Sequence, residues 1–266
     1  MPAEWERHEA TWLAWPHHPT DWPGKLDTIR WVYTEIVRKI APGEIVRLLV
    51  SNALEEARAR RYLERAAAPV ERVEFIRCPT NRGWMRDSGP IFVKNANETA
   101  IVHFHFNAWA KYPDWRRDRR IPEMAAARLA KRLFRATFNG RPFVLEGGGI
   151  EVNGCGALIT TEECYLDPAV QVRNPGLSRK DYERAFNDYL GATTVFWLSR
   201  GPAGDDTHGH IDDICRFVNR RTLVLVREDD PNDINYRPLA ENWERIADLR
   251  LEDGSKPDVV PLPMPA

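Results

Sequence analysis

Short apolar runs and helix-period segments alternate from one end of this chain to the other, and that rhythm restricts it to a layered α/β architecture. Asp27 is placed to cap a helix running to about Ile40, which Pro42-Gly43 closes ahead of the strand-like Ile45-Val46-Arg47-Leu48-Leu49-Val50. A second helix, rich in Ala, Glu and Arg, is predicted from about Ala53 to Ala67, with Val73-Glu74-Phe75-Ile76 as the next strand. A third, about Pro122 to Arg135, leads to Pro142-Phe143-Val144-Leu145. Ser178 with Asp181 three residues on reads as a capping box, opening a helix to Leu190 that hands over to Thr194-Val195-Phe196-Trp197-Leu198. A last helix, about Pro238 to Leu249, precedes Asp258-Val259-Val260-Pro261-Leu262. Alternating runs at Ala100 to Phe106 and Thr222 to Val226 add further strands. No linker or low-complexity stretch interrupts the series, so residues 1–266 read as a single domain of repeated strand-helix-strand modules. Val259 through Ala266 resembles the opening strand of one more module, which sets the expectation of a C-terminally incomplete domain with an unpartnered edge strand.

Bulk properties narrow the partners. A formal net charge of −1 gives no attraction to nucleic acid or to an anionic membrane. No apolar run approaches the roughly 20 residues of a membrane span, and Glu4 and Glu6 stand where a signal peptide would be basic and then apolar. The 4 cysteines (Cys78, Cys155, Cys164, Cys215) form no CxxC pair, which argues for reduced thiols and a cytoplasmic setting. The 10 tryptophans and 20 prolines suggest aromatic-lined pockets and many fixed turns. The composition is silent on whether the chain forms a homo-oligomer.

Three constellations carry chemistry. Trp84-Met85-Arg86-Asp87-Ser88-Gly89-Pro90 sets an acid before a forced turn, and Gly209-His210-Ile211-Asp212 sets a histidine two residues before another. Two carboxylates approaching from different sides would fix a guanidinium, whose donors lie in a rigid plane. Read as an alternating strand, His208, His210 and Asp212 would share one face. The bland alternative for either acid is an Asx-turn or helix cap. A sharper rival is a metal site, since HxHxDD approaches a known zinc motif; it lacks later histidines, has Asp213 where histidine is wanted, and leaves only the upstream His103 and His105 as further donors. In Leu145-Glu146-Gly147-Gly148-Gly149 the glycines permit close approach of a backbone or ligand, without the spacing of a nucleotide-binding loop. Glu146 is then a third acid able to orient His210.

Five blocks together resemble the agmatine deiminase and bacterial-type peptidylarginine deiminase family of the guanidine-modifying (pentein) superfamily. They are Met1-Pro2-Ala3-Glu4-Trp5 through Thr11-Trp12-Leu13-Ala14-Trp15-Pro16; the segment Trp84 to Pro90; Phe106-Asn107-Ala108-Trp109 with Lys111-Tyr112; Leu145-Glu146-Gly147-Gly148 with Thr160-Thr161-Glu162-Glu163-Cys164; and Gly209-His210-Ile211-Asp212. The resemblance implies a five-module α/β propeller, of which about four modules are present. It implies Asp87 and Asp212 as guanidinium-binding carboxylates, His210 as general acid/base, Glu146 as its partner, and Trp84 against the substrate's alkyl chain. Trp109, with Trp12, Trp15 and Trp22, favours a closed pocket for a small guanidino molecule. No metal or organic cofactor is implied. The reaction implied is hydrolysis of agmatine to N-carbamoylputrescine and ammonia, as in putrescine biosynthesis, through a covalent cysteine intermediate. The family's cysteine follows a late glycine-rich segment. This sequence has no cysteine after Cys215, and Cys155, Cys164 and Cys215 read as ordinary buried thiols, so the chain alone is expected to be inactive. A peptidylarginine substrate and a non-catalytic guanidino-binding protein are the competing expectations.

Overall fold

The computed structural model describes residues 1–265. It opens with β1 (Ala10–Ala14), α1 (Leu26–Ile40), β2 (Ile45–Val50), α2 (Ala53–Arg65) and β3 (Val73–Arg77). The three strands form one parallel sheet in the order β1-β2-β3. A short helix α3 (Met85–Ser88) then leads into a recurring unit: two antiparallel strands, a helical crossover, and a third strand parallel to the second. The unit occurs as β4 (Ile91–Lys94), β5 (Thr99–His103), α4 (Ile121–Leu129) and β6 (Leu133–Arg135). After a ribbon of β7 (Thr137–Phe138) and β8 (Arg141–Pro142) it recurs as β9 (Glu151–Val152), β10 (Ala157–Thr161), α5 (Glu162–Leu166), α6 (Arg179–Leu190) and β11 (Thr194–Leu198). It occurs again as β12 (Cys215–Phe217), β13 (Thr222–Arg227), α7 (Tyr236–Ile246) and β14 (Asp258–Pro263). The expected α/β class is thus present, and among the described residues the strands form four three-stranded sheets and the two-stranded β7-β8 ribbon.

Each sheet is covered by its own helices. Tyr182 and Phe186 of α6 pack with Phe143, Leu158, Tyr165 and Trp197. Leu239 and Ile246 of α7 pack on Leu223 and Leu225, and Val37 of α1 with Ala59 and Leu63 of α2 packs on Val46 and Leu48. Burying a large apolar side chain contributes about 1.5–3 kcal/mol, so these faces hold each helix to its sheet. The Ser178–Asp181 capping box is present. Asn52 caps α2 by accepting from Leu54 and Glu55 N–H.

Several sequence expectations need correction. Asp27 is not the cap of α1; it lies in the first turn and accepts from Arg30 at 2.9 Å. The helix expected to reach Arg135 stops at Leu129, because Ala130 turns into the left-handed region at φ +50° and releases the chain into β6. His208 to Asp212 is not a strand: His208 has φ +64°, and Ile211–Asp213 forms a 3-10 turn. The expected final strand is β14, and it is paired along its length with β13, with Val260 and Leu262 exposed at the sheet edge. Ala266 lies outside the described residues. Among the described residues no helix is long and apolar enough to cross a membrane.

Candidate active site

The chemical residues sit at equivalent places in the topology. Asp87 lies between β3 and β4, Glu146 between β8 and β9, and His210 with Asp212 between β11 and β12. Each is on the connection that carries the chain from one sheet to the next, and the three connections meet. Loops held by a rigid scaffold are where such side chains can be both exact in position and free of ladder bonding.

His210 is the hub, with only 2% of its surface exposed. Its Nδ1 lies 3.7 Å from Asp87 Oδ1 and 3.8 Å from Asp212 Oδ1, and its Nε2 lies 3.9 Å from Glu146 Oε2. These are ion-pair separations rather than hydrogen bonds, and Nε2 has no hydrogen-bond partner. Burial pushes the imidazole pKa down; the charges of Asp87, Glu146 and Asp212 overcome it and raise the value to about 9. Burial in turn pushes both Asp87 and Asp212 above the usual carboxylate range, against the pull of the imidazolium. Glu146 differs. Burial would raise it, but the Arg173 guanidinium, assisted by His210, holds it below its ordinary value.

Asp87 is gripped on both oxygens. Gly148 N–H donates to Oδ1 at 3.0 Å and Trp109 Nε1–H to Oδ2 at 3.1 Å. Gly148 must be glycine here: a Cβ would stand 2.4 Å from His210 Nδ1 and 2.8 Å from Asp87 Oδ1. The close approach allowed by the triple glycine is therefore used by the protein's own side chains. Gly209 is also required, with φ +85° and the Glu163 side chain 2.7 Å from its missing Cβ. Asp205 secures the loop by accepting Gly209 N–H at 2.7 Å and His210 N–H at 3.2 Å.

Asp212 has a protein guanidinium on its far side. Arg86 Nε lies 3.2 Å from Asp212 Oδ2, and the same Arg86 donates to Glu4 Oε2 at 3.1 Å. Glu4 also pairs with Arg216, which holds Glu151 at 2.8 Å. Burial pushes Glu151 up to about 7 despite that arginine. The opening Met1-Pro2-Ala3-Glu4-Trp5 block thus reaches the centre through its glutamate.

The two tryptophans divide. Trp84 is 37% exposed, beside Trp22 at 5.3 Å between ring centres, with Nε1–H donating to Asp21 at 3.0 Å. Trp109 is 4% exposed and lies beneath Asp87 as its donor, which corrects its expected place on a pocket wall. It sits in three successive left-handed residues, Ala108, Trp109 and Ala110, at φ +53°, +60° and +51°. Such backbone costs about 1–2 kcal/mol per residue and persists only where the surroundings impose it. Asn107 contributes by accepting Ala110 N–H at 2.9 Å.

Arg173, Asp205 and Arg86 carry no role in the sequence reading, because an arginine whose partners are distant in the chain, or an aspartate in a polar loop, gives no signal. His208 turns away from the hub to Asp167 at 2.9 Å. Cys164 is buried as expected, yet its sulfur lies within 4.8 Å of ligand atoms of both Glu146 and His210. Those three could approach a metal ion, but Arg173 occupies the Glu146 carboxylate and opposes a second cation there. Burial pushes the Cys164 and Cys215 thiols far above the thiolate range. Cys155, expected to be buried, is exposed.

The arrangement defines a class: a mixed α/β protein whose inter-sheet connections converge three carboxylates on one buried imidazole. Residues 1–266 match the model of the Porphyromonas-type peptidyl-arginine deiminase family, and the chain belongs to that family. It is 35% identical to an agmatine deiminase of Ectopseudomonas mendocina over 272 aligned positions, spanning all of this chain and 70% of that protein. The solved agmatine deiminase of Enterococcus faecalis superposes with a TM-score of 0.89 at 29% identity, over 100% of this chain and 70% of that one. A C. jejuni agmatine deiminase solved with substrate bound gives a TM-score of 0.85 at 27% identity, over 99% of this chain and 73% of that one.

Proposed function

We propose that this protein binds the guanidinium group of agmatine and serves its hydrolysis to N-carbamoylputrescine and ammonia, within a pentein propeller. The observation that carries the reading is the convergence of Asp87 and Asp212 on the same imidazole nitrogen, 3.7 and 3.8 Å away. Two anions held that close favour a cation between them, and a planar guanidinium offers paired donors to each. Asp87 and Asp212 hold the plane, His210 moves protons, and Glu146 sets the imidazole's orientation. In the reaction a thiolate attacks the guanidinium carbon, and His210 protonates the departing ammonia to leave an S-alkylthiouronium. His210 then takes a proton from water, whose oxygen replaces sulfur and gives the ureido product.

The thiolate is the part these residues lack. Cys164 lies near Glu146 and His210, and burial keeps it a neutral thiol. Cys215 is buried in the apolar cluster under α7. We therefore expect the 266-residue chain alone to bind substrate and turn it over negligibly. Agmatine is favoured over peptidylarginine by the partly exposed Trp22–Trp84 pair, which suits an alkyl chain ending in a free ammonium. Titration calorimetry with agmatine, putrescine and N-acetylarginine amide tests this. Saturable binding of agmatine alone supports the reading. Equal binding of putrescine would remove the guanidinium claim, and preference for the arginine amide would replace agmatine with a peptide substrate. Rapid ammonia release by the purified chain would overturn the expected inactivity.

A further inference from the structure

Glu146 and Arg173 each have fully buried side chains, with 0% exposure, and they face one another. Arg173 Nε–H is shared between Glu146 Oε1 at 3.4 Å and Oε2 at 3.3 Å. The other two nitrogens leave the carboxylate for backbone: Nη1 donates to Gln171 O at 3.0 Å, and Nη2 to Thr207 O. Thr207 lies in the loop that delivers His210. Gln171 in turn sends its side-chain amide to Trp109 O at 3.1 Å and Asp206 O at 3.2 Å. Through these bonds one guanidinium touches the Glu146 segment directly and reaches both the His210 loop and the backbone of the residue that grips Asp87.

We infer that Arg173 is a positioning residue for the proposed deiminase centre: it keeps Glu146 ionised behind His210 and fixes the loop that carries the imidazole. The inference rests on that functional reading for its purpose, but its physical content stands without substrate. An isolated buried carboxylate takes up a proton rather than remain charged. A protonated Glu146 would present no charge to His210 Nε2, and the imidazole would lose one of the three anions around it. Lysine could supply the charge, but not three donors in one plane.

The groups facing the Glu146 carboxylate are Arg173, His210 and Cys164, with Tyr165 hydrogen-bonded to its backbone at 3.4 Å and Asp87 beyond the imidazole. The test is a carbon-13 NMR titration of the Glu146 side-chain carboxyl in wild type, Arg173→Met, Arg173→Lys and His210→Asn, with no ligand present. Loss of Arg173 should raise the Glu146 midpoint by about two pH units or more. Arg173→Lys should recover a large part of that shift, and His210→Asn should move the midpoint less than Arg173→Met does. A midpoint in Arg173→Met within about half a unit of wild type would overturn the inference. So would a larger rise in His210→Asn, which would make the imidazole the true counter-ion. If Arg173→Met does not fold, the wild-type titration decides: a Glu146 midpoint at or above the ordinary glutamate value would overturn the inference. Failure of wild type to bind agmatine would remove the functional reading and leave this titration intact.

Discussion

Adding one methyl group at Gly148 should damage the centre as well as the fold. The Cβ of alanine would sit 2.4 Å from His210 Nδ1 and 2.8 Å from Asp87 Oδ1, where ordinary contacts begin near 3.4 Å. The overlap with the imidazole is therefore about 1 Å. Gly148 does not use a left-handed backbone, so the penalty is steric alone. Neither neighbour can retreat freely: Asp87 is held by Trp109 and by Gly148's own N–H, and His210 is hemmed in by three carboxylates. Overpacking of this size costs about 1–3 kcal/mol, and a displacement of about 1 Å in a positioned group can cost about a hundredfold in function. Urea unfolding of Gly148→Ala should show a loss within that energy range. Agmatine titration should show affinity lowered by about a hundredfold, an effect of about the same free energy as the loss in stability. Stability within about 0.5 kcal/mol of wild type together with affinity within threefold would refute the reasoning, because the site would then have slack that its geometry denies.

Further consequences follow from the same contacts. The His210 pKa is raised from 6.5 to about 9, so its contribution to folding is fully present below pH 6.5 and lost as pH rises through about 9. The difference of about 2.5 units corresponds to about 3 kcal/mol in all, of which urea unfolding between pH 7 and 9 should show about 2 kcal/mol being lost; a flat profile counts against the ion cluster. Ala110→Gly relieves a left-handed alanine at φ +51° and should stabilise the protein by about 1 kcal/mol in the same assay. A loss of stability would mean that the left-handed turn is not strained. Glu4→Gln removes a carboxylate shared by Arg86 and Arg216, freeing Arg86 to shift on Asp212; agmatine affinity should fall several-fold while the melting temperature moves little. Unchanged affinity would disconnect the N-terminal block from the site.

What the sequence revealed follows the reach of its signals. Strands such as Ile45–Val50 and Thr194–Leu198 are bounded by turn residues and buried on helices, so periodicity located them to the residue. The end of α4 escaped because its left-handed stop is Ala130, where glycine would have announced it. The segment His208 to Asp212 imitates strand alternation, but Gly209 and the left-handed His208 build a turn that still brings His210 and Asp212 together while sending His208 to Asp167. Asp87, Glu146 and His210 stand out as candidates because each lies beside glycine or a forced turn, and Asp212 because it follows His210 by two residues; their roles come from the family resemblance. Arg173 was not, since its three partners come from residues 146, 171 and 207, and only the fold gathers them.

The central claim is that Asp87 and Asp212 hold a guanidinium against His210. Titration calorimetry of agmatine into wild type, Asp87→Asn and Asp212→Asn, each in two buffers of different ionisation enthalpy, tests it most directly. The account predicts saturable binding to wild type, a loss of about 10²-fold or more in each variant, and proton release, because a bound cation lowers the His210 pKa from about 9. Wild-type affinity retained in both variants, with no buffer dependence, would contradict it.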